Sequence, residues 1–150
     1  MIRRRDERGS ALVELSWLGL LLLVPMLWIV ISVFEVQRGA FGVSAAARSA
    51  GRAYALAPND AVGQARAEAA VRRALDDQGL EGQSFTLRVT CEPSPGSCHS
   101  GTSVITVHVA TQVEVPVLPA VLGGDAPSFA LDATHTVPIG QHQEVDRAAP

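Results

Sequence analysis

Hydrophobic positions fall into three rhythms along the chain. From Leu15 to Phe34 they are nearly continuous, and these 20 residues contain no charge. At about 1.5 Å per residue such a helix spans roughly 30 Å, the thickness of a bilayer's hydrocarbon core. Pro25 inside the run lacks an amide hydrogen and predicts a kink that a spanning helix tolerates. Trp17 falls near one end, where indole rings favour the membrane interface; Trp28 lies deeper and reads as packing.

After Phe34 the rhythm becomes helical. Val36, Ala40, Val43, Ala47, Ala50, Tyr54 and Ala57 recur at alternating spacings of four and three, giving one face of mostly small residues. Small residues let another backbone approach closely. Two partners fit that face: the chain's own domain, or neighbouring subunits in a filament. Arg38, Arg48 and Arg52 fall off the stripe and stay solvated. Gly39 and Gly42 lower helix propensity and predict a flexible joint above the span.

Pro58-Asn59-Asp60 ends this helix, and Asn59 or Asp60 can cap the next. Ala67, Val71, Ala74 and Leu75 form its apolar stripe, Glu68 stands four residues before Arg72, and Gly79 is a natural stop. Asp76 and Asp77 oppose the dipole at its C-terminal end, which predicts fraying. From Gln83 the period is two. Phe85, Leu87, Val89 and Cys91 form one alternating set, and Ile105, Val107, Val109, Val113 and Val115 a second. Phe129, Leu131, Ala133 and Val137 form a third. These read as three half-buried strands. Pro93–Gly101 suits a hairpin loop, and Pro116–Pro127 is a longer connection. The expected class is α+β: a long N-terminal transmembrane helix continuing into a stem, a second helix, and a small three-stranded antiparallel sheet with helix on its apolar face.

Charge orients the span. Arg3, Arg4, Arg5 and Arg8 precede it and place the N-terminus in the cytoplasm, with the C-terminal domain extracytoplasmic. Glu14 does not fit a plain anchor, because a carboxylate just inside an apolar segment is costly and marks a functional candidate. Its simplest behaviour is snorkelling to the cytoplasmic interface. An ordinary secretory signal is one reading of the N-terminus, since Ala45-Ala46-Ala47 satisfies the small-residue rule. Against it, the apolar region exceeds the usual length and that site lies more than ten residues beyond its end. An uncleaved anchor is another.

The basic leader ends in Gly9, a small polar Ser10 follows, and Glu14 is the fifth residue counted from Ser10. This arrangement resembles the processing site of type IV prepilins, where a prepilin peptidase cuts after the glycine. With Pro25 in the leucine run, Glu35 and Arg38 after it, and the alanine-rich Ser44–Ala57, residues 3–56 resemble the TadE family of pilin-like proteins from Tad/Flp type IV pilus systems. The resemblance covers about a third of the chain. It implies cleavage between Gly9 and Ser10 and a role for Glu14 in assembly, pairing with the freed amino group of a neighbouring subunit's Ser10. It also implies three kinds of partner: the prepilin peptidase, other pilin-like subunits, and the pilus assembly platform, with membrane lipid around the helix. Major Flp-type pilins are much shorter, which favours a minor pilin (pseudopilin).

Composition narrows the rest. At 150 residues there is room for one span and one small domain. The formal charge is −3; the leader carries four arginines and two acids, so a chain starting at Ser10 carries −5. No basic nucleic-acid surface is expected. All 12 basic residues are arginine, which reads as coding bias. Cys91 and Cys98 flank the expected hairpin loop, where a disulfide would brace a small domain in an oxidising exterior. A metal site of Cys91, Cys98 and His99 is the alternative, at a spacing that matches no standard zinc pattern. His108 on a polar strand face and His135 on an apolar one read as structural or surface residues. No phosphate loop, nucleophile elbow or HExxH occurs, so neither enzyme activity nor a cofactor is expected.

The chain thus divides into a leader (1–9), a transmembrane segment (10–34), a helical stem (35–57), an extracytoplasmic domain (58–140) and a tail (141–150). Three functional readings follow: a TadE-like pilin or minor pilin, a bitopic membrane-anchored protein with an interaction domain and no filament role, and an extracytoplasmic enzyme.

Overall fold

The computed structural model describes residues 8–114 and 128–140. The leader arginines Arg3, Arg4 and Arg5, the 116–127 connection and the 141–150 tail lie outside the described residues. Helix α1 runs from Arg8 to Ala55 and passes through Pro25. Its 48 residues make it roughly 72 Å long. Helix α2 (Asp60–Asp76) follows, then strands β1 (Phe85–Glu92), β2 (Val104–Glu114) and β3 (Ser128–Pro138). The strands form one antiparallel sheet in the order β1-β2-β3. The class is α+β.

Period two places the core residues of the sheet. Ile105, Val107, Val109, Thr111 and Val113 of the central strand are buried on one face. Thr111 meets its polar requirement there by donating to the Ser84 carbonyl at 2.7 Å. The C-terminal part of α1 lies on β2 and β3, and α2 packs against α1.

The stem face is therefore occupied by the chain's own domain. Val43, Ala46, Ala47, Ala50 and Tyr54 are all buried. The contact face is rotated from the expected stripe: Ala40 is exposed, while Gly39, Gly42 and Gly51 are buried. A Cβ on Gly39 would stand 2.6 Å from Leu131 Cδ1 and 3.0 Å from Val113 Cγ2. One on Gly51 would stand 3.0 Å from Val137 Cγ2 and 3.2 Å from His135 Cδ2. The expected joint at Gly39 and Gly42 is replaced by unbroken helix, because these glycines serve close approach to the sheet rather than bending.

At α2, Asn59 is the cap and accepts from the Val62 amide at 2.9 Å. Gly63, Ala67, Val71 and Leu75 face inward. Glu68 accepts from Gln64 at 2.9 Å, and Arg72 lies 5.6 Å above the Phe85 ring, so the expected Glu68–Arg72 pair gives way to two other contacts. The expected fraying at Asp76 and Asp77 does not occur either. Gly79 adopts φ +70°, its amide reaches the Asp76 carbonyl at 2.8 Å, and the Leu80 amide reaches the Leu75 carbonyl at 3.0 Å. That is a Schellman closure, with Leu75 and Leu80 both in the core. The Arg38 guanidinium packs against Gly79, a cation at the negative end of the helix.

Candidate functional site

The candidate processing segment forms the first turns of α1. Gly9 and Ser10 lie in its helical backbone, and Glu14 is exposed one turn after Ser10. The large apolar side chains from Leu12 to Phe34 stand clear of the domain. Leu15 is 68% exposed, Leu21 67% and Phe34 65%, and the exposed positions run round the whole helix. By length and composition, α1 is long and apolar enough to cross a membrane. Ser16 and Ser32 return their hydroxyls to the carbonyls of Leu12 and Trp28, which removes two polar groups from the apolar surface.

The predicted disulfide pair lies at the opposite end of α1, near Ala55, so the structure does not bring it together with Gly9, Ser10 and Glu14. Cys91 and Cys98 are joined with Cα atoms 5.3 Å apart, and both are buried. In this arrangement neither ring nitrogen of His99 is directed at the two sulfurs.

Those nitrogens belong to a polar cluster that sequence reasoning missed. His99 Nδ1 meets Asp60 Oδ1 at 2.5 Å, and His99 Nε2 meets the Tyr54 carbonyl at 3.0 Å. The Cys98 amide donates to Asp60 Oδ2 at 3.2 Å. The Tyr54 ring stacks on His99 with centroids 5.2 Å apart. Gly63 makes room for the stack: a Cβ there would stand 3.2 Å from the Tyr54 ring. The cluster ties the end of α1, the first residue of α2 and the disulfide loop together. Asp60 and His99 are 39 residues apart, and no spacing in the chain links them. The one available signal is an acidic residue beside a helix cap, which offers a second acceptor once Asn59 has taken the cap.

The arrangement is a clamp rather than a proton relay. In an Asp–His dyad the second ring nitrogen must face a nucleophile. Here it is held by a backbone carbonyl, which only accepts. Burial pushes the Tyr54 phenol up to about 12, and the Asp60 charge and a hydrogen bond to it act in the same direction. Burial alone would raise the Asp60 carboxyl. Hydrogen bonds from His99 and the Cys98 amide, the His99 charge and a bond from Tyr54 outweigh it and hold the carboxyl below its ordinary value.

The sign of the pH dependence follows. The contribution of a depressed carboxyl is full above its unfolded value near 3.9 and is lost as pH falls through the folded value. The contribution of a raised phenol is full below its unfolded value near 10 and is lost as pH rises towards 12. Urea midpoints of the full chain in detergent should therefore fall below about pH 4. The Asp60→Asn variant should start lower at neutral pH and show a shallower acid loss. An unchanged acid profile in Asp60→Asn would remove Asp60 from this role.

On the outer sheet face His108 lies 3.6 Å from Asp132, an exposed cross-strand pair. His135 lies on the inner face beneath Gly51, half-buried, as its apolar strand position implies. Among the described residues no group of three or more His, Cys, Asp or Glu side chains is placed to hold a metal ion. Compared with protein-family models, curated proteins and solved structures, the chain matches none.

Proposed function

We propose that this chain is a TadE-like minor pilin (pseudopilin), anchored by a single span with its N-terminus cytoplasmic, cut by a prepilin peptidase between Gly9 and Ser10, and taking part in assembly of a Tad-type pilus. The observation that carries the reading is the division of α1. One unbroken helix has an apolar first half clear of the domain and a second half that forms the spine of a small α+β domain. Such a helix can sit in lipid and then exchange lipid for the same half of other subunits without refolding the domain. Glu14 stands at the start of that half, where a carboxylate in an apolar medium favours only positions that give it a cationic partner. In a processed neighbour, the Ser10 amino group is that partner.

Cleavage as an ordinary secretory protein fits less well. Ala46 and Ala47 are buried in the core, and a cut there would strip Val43 from it. The bitopic reading without a filament role draws support from one observation. The small-residue stem face is already covered by the domain and is not open to neighbouring subunits.

Intact mass and co-purification separate the readings. The native protein should begin at Ser10, and Gly9→Leu should retain the leader. Glu14→Val should still insert and be cleaved, yet fail to co-purify with pili or the assembly platform. A mature start at Met1 or near Ser44 would overturn the cleavage. Normal incorporation of Glu14→Val would remove its assembly role.

A further inference from the structure

The unbroken helix also sets the height of the domain above the membrane. Gly39 lies against Leu131 and Val113, and Gly51 lies against Val137, His135 and Val107. Between these points α1 advances 12 residues, about 18 Å, while β3 advances six residues, about 20 Å. Helix and strand therefore run side by side in the same direction, and levels can be carried from one to the other. Phe129 lies two residues before Leu131, about 6.6 Å further towards the span. That is the level of residue 35 on α1, one residue past the end of the uncharged run at Phe34.

Phe129 is 48% exposed at that level. We infer that the span-proximal end of the sheet, led by Phe129, is seated in the headgroup layer of the bilayer and that its partner is the lipid surface itself. The inference rests on α1 crossing the membrane. The headgroup layer is about 5–7 Å thick on each side. A helix tilt of about 20° shifts a strand roughly 10 Å from the axis by only about 3 Å, so Phe129 stays at the interface for tilt in either direction. An aromatic ring is favoured at that depth. Ser128, beside it on the strand, is polar and exposed, which favours headgroup depth over the hydrocarbon for this end. The opposite end of β2, at Val104, is raised by the length of the strand, about 30 Å above Phe129.

Tryptophan emission tests this in the full chain, reconstituted in phosphatidylcholine vesicles with bromine near the headgroup end of the acyl chains. Phe129→Trp and Val104→Trp are made with Trp17 and Trp28 replaced by Phe. A third protein keeps Trp28 alone and reports the span. Emission from Phe129→Trp should be roughly halved relative to unbrominated vesicles, as expected for a ring at the interface, and Val104→Trp should be unchanged. Quenching of Trp28 with none of Phe129→Trp would overturn the inference and leave the anchor standing. A blue-shifted but unquenched Phe129→Trp would mean that protein, not lipid, covers the site, and also overturns it. An unquenched Trp28 would overturn the anchor and the inference together. Matching urea midpoints of Phe129→Trp and the parent keep a folding defect from being read as a change of depth.

Discussion

Ile105→Ala is expected to lower the stability of the domain by about 2–5 kcal/mol, one of the two largest effects foreseen for a single site or pair. Ile105 is fully buried on the central strand, opposite Cys91 on one side and Val137 on the other. The change removes three carbons, about 2.4 kcal/mol of transfer free energy, and the space left behind adds a cavity term. Both flanking strands and α1 close on this layer, so collapse into the space is limited. Domains of this size have only about 5–15 kcal/mol in total. The comparison is Gln112→Ala on the exposed face of the same strand, which should stay within about 0.5 kcal/mol of the parent. Urea midpoints read by pulse proteolysis of the full chain in detergent give both values. Equal shifts for the two variants would show that the β2 inner face is not the core.

Replacing Cys91 and Cys98 together by Ser should cost about 2.5 kcal/mol from loop closure alone, since the link closes a short loop with a sequence separation of 7. Further loss is expected through the clamp. Cys98 donates its amide to Asp60, and His99 beside it bridges Asp60 to Tyr54. Freeing the loop therefore loosens the join between α1 and α2. The two contributions should not add: Asp60→Asn should do less harm in the Cys91→Ser, Cys98→Ser background than in the parent. Reductant should lower the parent's midpoint towards that of the double variant and leave the double variant unmoved. Simple additivity would show that the disulfide and the clamp act independently.

Much of the fold was legible because its signals are local. The uncharged run, the Pro58-Asn59-Asp60 break, the period-two strands and the Gly79 stop each depend on residues within one turn or one strand. The Cys91–Cys98 pairing was legible for the same reason, since both residues flank one hairpin. The errors lie where distant contact overruled local preference. Gly39 and Gly42 weaken an isolated helix, but beneath them lie Leu131 and Val113 in one case and Gln78 and Leu80 in the other. Asp76 and Asp77 oppose a bare helix dipole, but Arg38 arrives from α1 and a Schellman turn closes the end. Glu68 and Arg72 have the spacing of a pair, yet Gln64 and the Phe85 ring are the contacts they make.

The elements, their order, the apolar half of α1 and the residues that resemble a processing site can all be read along the chain. Each is a property of hydropathy, charge or backbone preference that needs no partner elsewhere in the chain. That the stem face belongs to the chain's own domain, and that Tyr54, Asp60 and His99 form one cluster, emerges only in the folded molecule. The same packing set β3 alongside α1, with Phe129 level with the end of the uncharged run. These three facts depend on which surfaces meet, and complementary surfaces can lie any distance apart in sequence. Periodicity shows that a face will be buried, while packing geometry decides what buries it.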